Sequence, residues 1–342
     1  MQSSKQPDRI EFLVEPADVA GLERYAREEG FLGDREALVS ITRAGEGNMN
    51  LTLRLATTER TFILKQARPW VEKYPQIAAP PDRALVEIAF YETVSTRPRL
   101  RDAMPKLLGA DRKARVVVLE DLGEAQDFTD LYGGATLAER ELGELLSYAA
   151  TLHEPFEALE SERKQVFANR EMRALNHHHI FELPLVEDNG LDLDAITPGL
   201  GDVALSLKRD SDYLGHVEEL GKLYLADGEH LVHGDYFPGS WLRTPSGIRV
   251  IDPEFCFLGE RSFDLGVFLA HLCLARQPQS LRDAVLHAYG DRRFTSLVRG
   301  FAGVEIMRRL LGVAQLPLTY GIREKTELLQ TSRELVLTGG PT

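Results

Sequence analysis

Cationic charge, cysteine and long apolar runs are all scarce in this chain. Lys and Arg number 40 against 53 Asp and Glu, for a formal net charge of −13. Nucleic acid and anionic membrane surfaces need a cationic footprint, so neither is expected as a partner, although net charge does not describe a single cleft. The two cysteines, Cys256 and Cys273, stand in the apolar contexts PEFCFLG and AHLCLAR. That suits free buried thiols in a reducing compartment better than a disulfide. No apolar run is long enough to span a bilayer. The opening MQSSKQPDRIEF lacks the apolar core of a secretory signal, so a cytoplasmic location is expected. GKS and GKT do not occur, which excludes a Walker phosphate loop, and no internal repeat is present. What is there is ordinary for a soluble protein, with 43% hydrophobic and 27% charged residues. At 342 residues the chain can build two domains or lobes.

The most informative stretch is Leu231–Phe255, LVHGDYFPGSWLRTPSGIRVIDPEF. It holds two short apolar runs, one ending at His233-Gly234-Asp235 and the other at Asp252-Pro253-Glu254. Pro245-Ser246-Gly247 is a turn signal between strand-like residues, so a hairpin is expected. Such a hairpin brings Asp235 and Asp252 to one end. Paired carboxylates there suit magnesium-dependent phosphoryl transfer: one orients and deprotonates the attacking hydroxyl, and the other holds the metal. The competing reading is an acidic surface turn.

Upstream, Pro16–Glu29 reads as a helix, with Val19, Leu22 and Tyr25 on one face. Residues 39–56 then read as strand, glycine turn, strand. Leu51, Leu53 and Leu55 alternate with Thr52, Arg54 and Ala56. Gly45, Gly47 and Asn48 in that turn are candidates to approach phosphates through backbone amides, and a plain hairpin turn is the alternative. A third strand, Thr61–Gln66, carries Lys65, and the helix expected over Arg83–Thr96 carries Glu87. A strand Lys paired with a helix Glu positions nucleotide phosphates in kinases; alone, each would read as a solvated charge. YPQIAAPPDR, residues 74–83, is expected to be a proline-rich loop. Val116–Leu119 reads as a buried strand and Glu120–Gly123 as a linker, with a boundary at residues 121/122.

Beyond the linker the pattern turns helical. Thr136-x-x-Glu139 matches a capping box ahead of Leu142, Leu145, Leu146, Ala149 and Leu152. Adjacent His177, His178 and His179 read as loop residues, because neighbours cannot all face one metal. A helix is expected to carry Leu214, Val217 and Leu220. Asp264 is placed as an early acid of an apolar helix. Arg308-Arg309 is either a solvated face or a phosphate contact, and the tail from Thr338 is expected to fray.

The order of glycine turn, Lys65, Glu87, linker, HGD and DPE resembles the kinase-like small-molecule phosphotransferases, which include aminoglycoside phosphotransferases and choline kinases. Within that group, GEGNMNLTLRL, ILKQARPWV, LEDLG, HGDYFPGSWL, VIDPEFCFLGERSFDLGVFLAHL and FAGVEIMRRLLGVAQ are most similar to the methylthioribose kinases. The resemblance implies an α+β, two-lobed protein-kinase-like fold. Residues 1–121 would form a small antiparallel-sheet N-lobe, and residues 122–342 a mostly helical C-lobe. It implies an ATP- and Mg2+-dependent kinase of 5-methylthioribose or a related pentose. An aminoglycoside or choline-like phosphotransferase is the alternative, and a non-catalytic nucleotide-binding protein the remoter one. Asp235 would be the catalytic base. Asp252 and Glu254 would hold magnesium with Ser240 beside them. Lys65 and Glu87, with Gly45, Gly47 and Asn48, would serve the phosphates, while Glu120 and Leu122 would serve the adenine. Arg308 and Arg309 would face the sugar, and His233 and Asp264 would be structural. A small alcohol or sugar is the partner implied, with a homodimer left open. Three departures fall on the substrate side: Tyr236-Phe237-Pro238 inside HGDYFPGS, the loop at 74–83, and a shortened segment between His271 and Phe301.

Overall fold

Alternation builds the first sheet. Leu51, Leu53 and Leu55 are buried, while Thr52, Arg54 and Ala56 on the opposite face are half-buried. In the computed structural model, which describes residues 10, 12–45, 49–156 and 159–340, these residues form the middle of β2 (Leu51–Thr57). It pairs with β1 (Leu38–Arg43) and β3 (Thr61–Gln66). A small hairpin of β4 (Trp70–Val71) and β5 (Tyr74–Ala78) follows. Then come β6 (Leu107–Asp111) and β7 (Val116–Glu120). The five-stranded sheet runs β1-β2-β3-β7-β6, with every pairing antiparallel.

Helix α1 (Val19–Glu28) lays Leu22, Tyr25 and Ala26 on the side of Phe62, Leu64, Val116 and Val118. Val19, expected on that buried face, stays 46% exposed. Helix α2 (Arg83–Val94) packs on β6 and β7. Residue 65 follows Leu64 on the pleat, so Lys65 points to the face opposite α1, where Glu87 of α2 meets it. The expected loop at 74–83 is a correction: Tyr74–Ala78 is a strand, because Pro75 occupies a short two-stranded ribbon where a missing N–H is tolerated.

Among the described residues the contacts divide into two compact units: residues up to Thr96 with Pro105–Gly123, and Arg97–Met104 with Glu124 onward. In the second unit lie α3 (Pro98–Arg101), β8 (Gln126–Asp127), α4 (Glu139–Leu152), α5 (Ser161–Val166) and α6 (Arg170–His177). They are followed by α7 (Leu193–Ile196), α8 (Leu200–Lys208), α9 (Ser211–Leu225) and β9 (His230–Val232). Next are β10 (Trp241–Thr244), β11 (Gly247–Val250) and β12 (Phe257–Gly259). The unit closes with α10 (Ser262–Leu274), α11 (Gln279–Leu286), α12 (Arg292–Leu311) and α13 (Ile322–Thr338). All residues of α10 are buried, which suits its unbroken apolar character; it packs on α12, and α12 on α13.

Three further expectations are corrected here. Helix α4 begins at Glu139, with the Ala138 N–H donating to the Glu141 carboxylate at 3.0 Å, so Thr136 is not its cap. His177 ends α6, and His178 opens a wide π-type turn, His178–Glu182. Glu182 accepts from His178 at 2.8 Å and lies 3.3 Å from His177, and these contacts hold the run helical. The tail does not fray at Thr338: Gly339 and Gly340 are buried, and Gly340 N–H donates to the Ser296 carbonyl at 3.2 Å. A Cβ on Gly339 would sit 2.4 Å from Gly300 N, so only glycine allows that approach. No helix among the described residues is long and apolar enough to cross a membrane.

Candidate active site

The central stretch folds as a loop followed by a hairpin. β10 and β11 pair from Trp241↔Val250 to Thr244↔Gly247. Past the open end of the hairpin, Ile251 N–H donates to the Ser240 carbonyl at 2.9 Å. The His233 Nε2 meets the Ile251 carbonyl at 2.9 Å. These bonds tie the HGD turn to the DPE turn. Since a carbonyl only accepts, Nε2 carries the proton and Nδ1 is left to accept from Asp235 N–H, at 3.4 Å. Burial lowers the His233 pKa, which suits this neutral form.

Gly234 has φ +82°, and a Cβ there would stand 2.2 Å from the Phe255 carbonyl oxygen. No other residue fits between the two turns. Asp264, on the first turn of α10, accepts His233 N–H at 2.7 Å and Gly234 N–H at 3.0 Å. The same carboxylate meets His153 Nε2 at 2.9 Å, and His153 Nδ1 meets the Tyr289 hydroxyl at 2.8 Å. Two backbone amides and one imidazole thus lock the loop that presents Asp235. The Ser240 hydroxyl donates to the Asp235 carbonyl at 2.9 Å. Tyr236 is a packing residue: its hydroxyl donates to the Leu145 carbonyl at 2.9 Å, and its ring stacks on Tyr148.

Asp252 sits at φ 61°, ψ 53°, an unusual conformation for a non-glycine residue and the kind of local strain found at functional sites. Glu254 is buried in the short 3-10 turn Pro253–Phe255. Asn169, itself at positive φ, holds that turn by donating to the Glu254 carbonyl at 3.2 Å and the Cys256 carbonyl at 2.9 Å. Among the described residues no group of three His, Cys, Asp or Glu side chains could hold a metal. Magnesium commonly takes one or two carboxylates and completes its shell with phosphate and water oxygens, so the pair Asp252 and Glu254 fits that ion.

Arg308 and Arg309 are not a solvated face. Both are buried on α12, and their Nη2 atoms lie 3.6 and 3.4 Å from Asp235 Oδ1. Their Nε–H groups are taken by Glu305, at 2.5 and 2.7 Å. Glu305 also meets His271 Nε2 at 3.0 Å, and His271 Nδ1 meets the Tyr132 hydroxyl at 2.6 Å. The Arg309 guanidinium lies over the Phe237 ring, 4.7 Å from its centroid. Phe237, one of the departures noted in the sequence, therefore supports an arginine beside Asp235. Burial raises the Asp235 carboxyl above its ordinary pKa, Arg309 and Arg308 pull it back, and Glu305 pushes it up again. Glu305, His271, Tyr132 and His153 went unread in the sequence, and Phe237 was read only as a departure. The one available signal was the acid three and four positions ahead of the arginines, a spacing that puts all three on one helix face.

In the first unit, Lys65 Nζ and Glu87 Oε1 are 2.8 Å apart, and both residues are buried. Gly45 has φ +73° and opens the expected phosphate turn, while Gly47 and Asn48 lie outside the described residues. The end of that turn is held by Arg83, also missed in the sequence. It donates to Asn50 Oδ1 at 2.9 Å and to the Met49 carbonyl at 3.0 Å. Glu120 ends β7, and Asp121 is fixed by Arg54, Nε to Oδ2 at 2.9 Å. The half-buried Leu122 follows in the coil.

The phosphotransferase enzyme family model matches residues 40–301. Methylthioribose kinase of Bacillus mycoides (strain KBAB4) is 27% identical, over 92% of this chain and 90% of its own. Choline kinase from Cryptosporidium parvum Iowa II superposes with a TM-score of 0.58 at 13% identity, over 93% of this chain and 96% of that one. A spectinomycin phosphotransferase solved with ADP and spectinomycin gives a TM-score of 0.50 at 12% identity, over 94% and 98%. The chain belongs to the phosphotransferase enzyme family and has its protein-kinase-like fold. It is an ATP-dependent phosphotransferase of a small molecule, with a hydroxyl group as acceptor.

Proposed function

We propose that the chain phosphorylates a hydroxyl of 5-methylthioribose or a related pentose, with ATP as donor and magnesium bound. Asp235 orients the sugar hydroxyl and takes its proton; Asp252 and Glu254 hold the metal, and Lys65, braced by Glu87, contacts the nucleotide phosphates. Glu120 and Leu122 offer backbone to the adenine. Catalysis of this kind is alignment and charge neutralisation rather than covalent chemistry.

The observation that carries the substrate reading is the Arg308–Arg309 fork on Asp235. Guanidiniums beside the base suit a neutral sugar and the anionic phosphoryl group it receives. A cationic amino-alcohol or aminoglycoside would instead call for acidic or aromatic groups at that position. The similarity to a methylthioribose kinase over most of both chains supports the same acceptor.

A coupled ADP-release assay with methylthioribose, ribose, deoxyribose, choline and kanamycin tests the reading. Turnover is expected with methylthioribose and only background with choline and kanamycin. The reverse pattern would overturn the acceptor. In the same assay Asp235→Asn should lower turnover about 10³-fold. Equal rates in the two proteins would remove Asp235 as the base.

A further inference from the structure

Glu305 is a fully buried carboxylate that the kinase mechanism does not call on. It sits on α12, one turn before the two arginines. Its Oε2 accepts Arg308 Nε–H at 2.5 Å, and its Oε1 accepts Arg309 Nε–H at 2.7 Å. A guanidinium bound at Nε can still turn its Nη groups outward. Here both Nη2 atoms come to one oxygen, Asp235 Oδ1, at 3.6 and 3.4 Å. Those distances exceed the usual 2.7–2.9 Å of a charge-assisted hydrogen bond. The Nη ends are thus aimed at the base without being closed onto it.

Glu305 is itself held. Burial would raise its pKa, but Arg308, Arg309 and His271 keep it well below the carboxylate range. A carboxylate only accepts, so His271 Nε2 donates to Oε1 and Nδ1 is the acceptor, with the Tyr132 hydroxyl donating to it. Burial pushes the His271 pKa down to about 4, which agrees with that neutral tautomer. Tyr132 anchors the far end from the 3-10 turn Phe128–Gly133. A net charge of one remains on Glu305 and its two arginines, and that charge faces the site of transfer.

We infer that Tyr132, His271 and Glu305 form a buried positioning chain that locks the Arg308–Arg309 fork onto the acceptor side of Asp235. The inference rests on the kinase reading above. Glu305 acts through the arginines and touches neither substrate; its part is to prepay the ordering of two long side chains before the phosphoryl group arrives.

A double-mutant cycle in the ADP-release assay reads this directly. Glu305→Gln keeps the side-chain length and removes the charge that pins both Nε groups. It is expected to lower kcat about 50-fold while KM for ATP stays within about threefold of wild type. In an Arg309→Lys background, which has no Nε–H to pin, the same change should cost less than about fivefold, because coupled residues do not add. Tyr132→Phe, a milder change at the far end, should lower kcat about threefold with no change in KM for ATP. Equal losses from Glu305→Gln in the two backgrounds would overturn the inference, as would a Glu305→Gln protein with wild-type kcat. If Glu305→Gln does not fold, Tyr132→Phe decides by the same comparison in the two backgrounds. Turnover by wild type on any acceptor upholds the kinase reading independently of these variants; its absence on every acceptor would overturn both readings.

Discussion

Each unit buries an ion pair, and the two are built differently. In the sheet unit Lys65 meets Glu87 at 2.8 Å, strand against helix. In the helical unit one carboxylate, Glu305, serves two guanidiniums, and both guanidiniums also reach toward a second carboxylate, Asp235. The first arrangement sets one ammonium against one carboxylate oxygen. The second shares charges, so each member sets the position of the others. Burying charge costs several kcal/mol per ion unless partners compensate. A point charge suits the phosphate contact proposed for Lys65. A planar fork suits the phosphoryl contact proposed for Arg308 and Arg309, since a guanidinium can match two oxygens at a time.

The comparison can be broken most sharply in the sheet unit. Lys65→Met leaves Glu87 without its ammonium in a buried place, and the expected loss is about 4 kcal/mol by denaturant unfolding. Pairing the change with Glu87→Leu should restore part of it, since an apolar pair can replace a buried ion pair. No loss in the single variant would mean that other contacts carry the pair.

The helical cluster is sharpened by pH. His271 is buried and neutral, with its pKa pushed down to about 4 from 6.5. Tyr132, Glu305, Arg308 and Arg309 face it. Between those pH values the unfolded chain binds the proton and the folded one does not, so stability rises with pH through the window and levels off above it. Lowering the pH from 6.5 to 4 should therefore remove on the order of 3 kcal/mol, judged at 1.36 kcal/mol per pH unit. His271→Gln should flatten that part of the stability curve. An unchanged slope would mean that His271 takes a proton without unfolding the cluster.

The smallest effect concerns the helix that carries the fork. Asp291 caps α12 by accepting Arg293 N–H at 2.8 Å. Asp291→Ala should cost about 1 kcal/mol in thermal unfolding and leave turnover within about twofold, because the fork lies at the other end of the helix. A loss of turnover as large as that of Glu305→Gln would mean that the cap sets the arginines' geometry.

Local patterns carried much of the reading. HGD, DPE and the Lys65–Glu87 order were legible because each is a short motif whose chemistry depends on residues near in sequence or on a simple strand-to-helix step. The hairpin at Pro245-Ser246-Gly247 was legible for the same reason. The histidine run and residues 74–78 were misread as loops, since polar or proline-containing stretches can still be helical or extended when neighbours supply partners. The Arg308–Arg309 pair stayed ambiguous. Asp235 and Arg309 are 74 positions apart, and periodicity says nothing about contacts at that range.

By itself the sequence determined where the candidate residues stand: Asp235 in the HGD turn, Asp252 and Glu254 in the DPE turn and Lys65 near the end of β3, each at a turn or strand end that its neighbours dictate. Tertiary structure alone decided which charges share a site in the helical unit. In α12, Val304, Glu305, Ile306, Met307, Arg308 and Arg309 are all buried. Only the arrival of α10 with His271, and of the loop with Asp235 and Phe237, turns buried charge from a cost into an aligned fork. The physical reason is that a buried ion is defined by partners distant in the chain, whereas a turn or a strand is defined by its own residues.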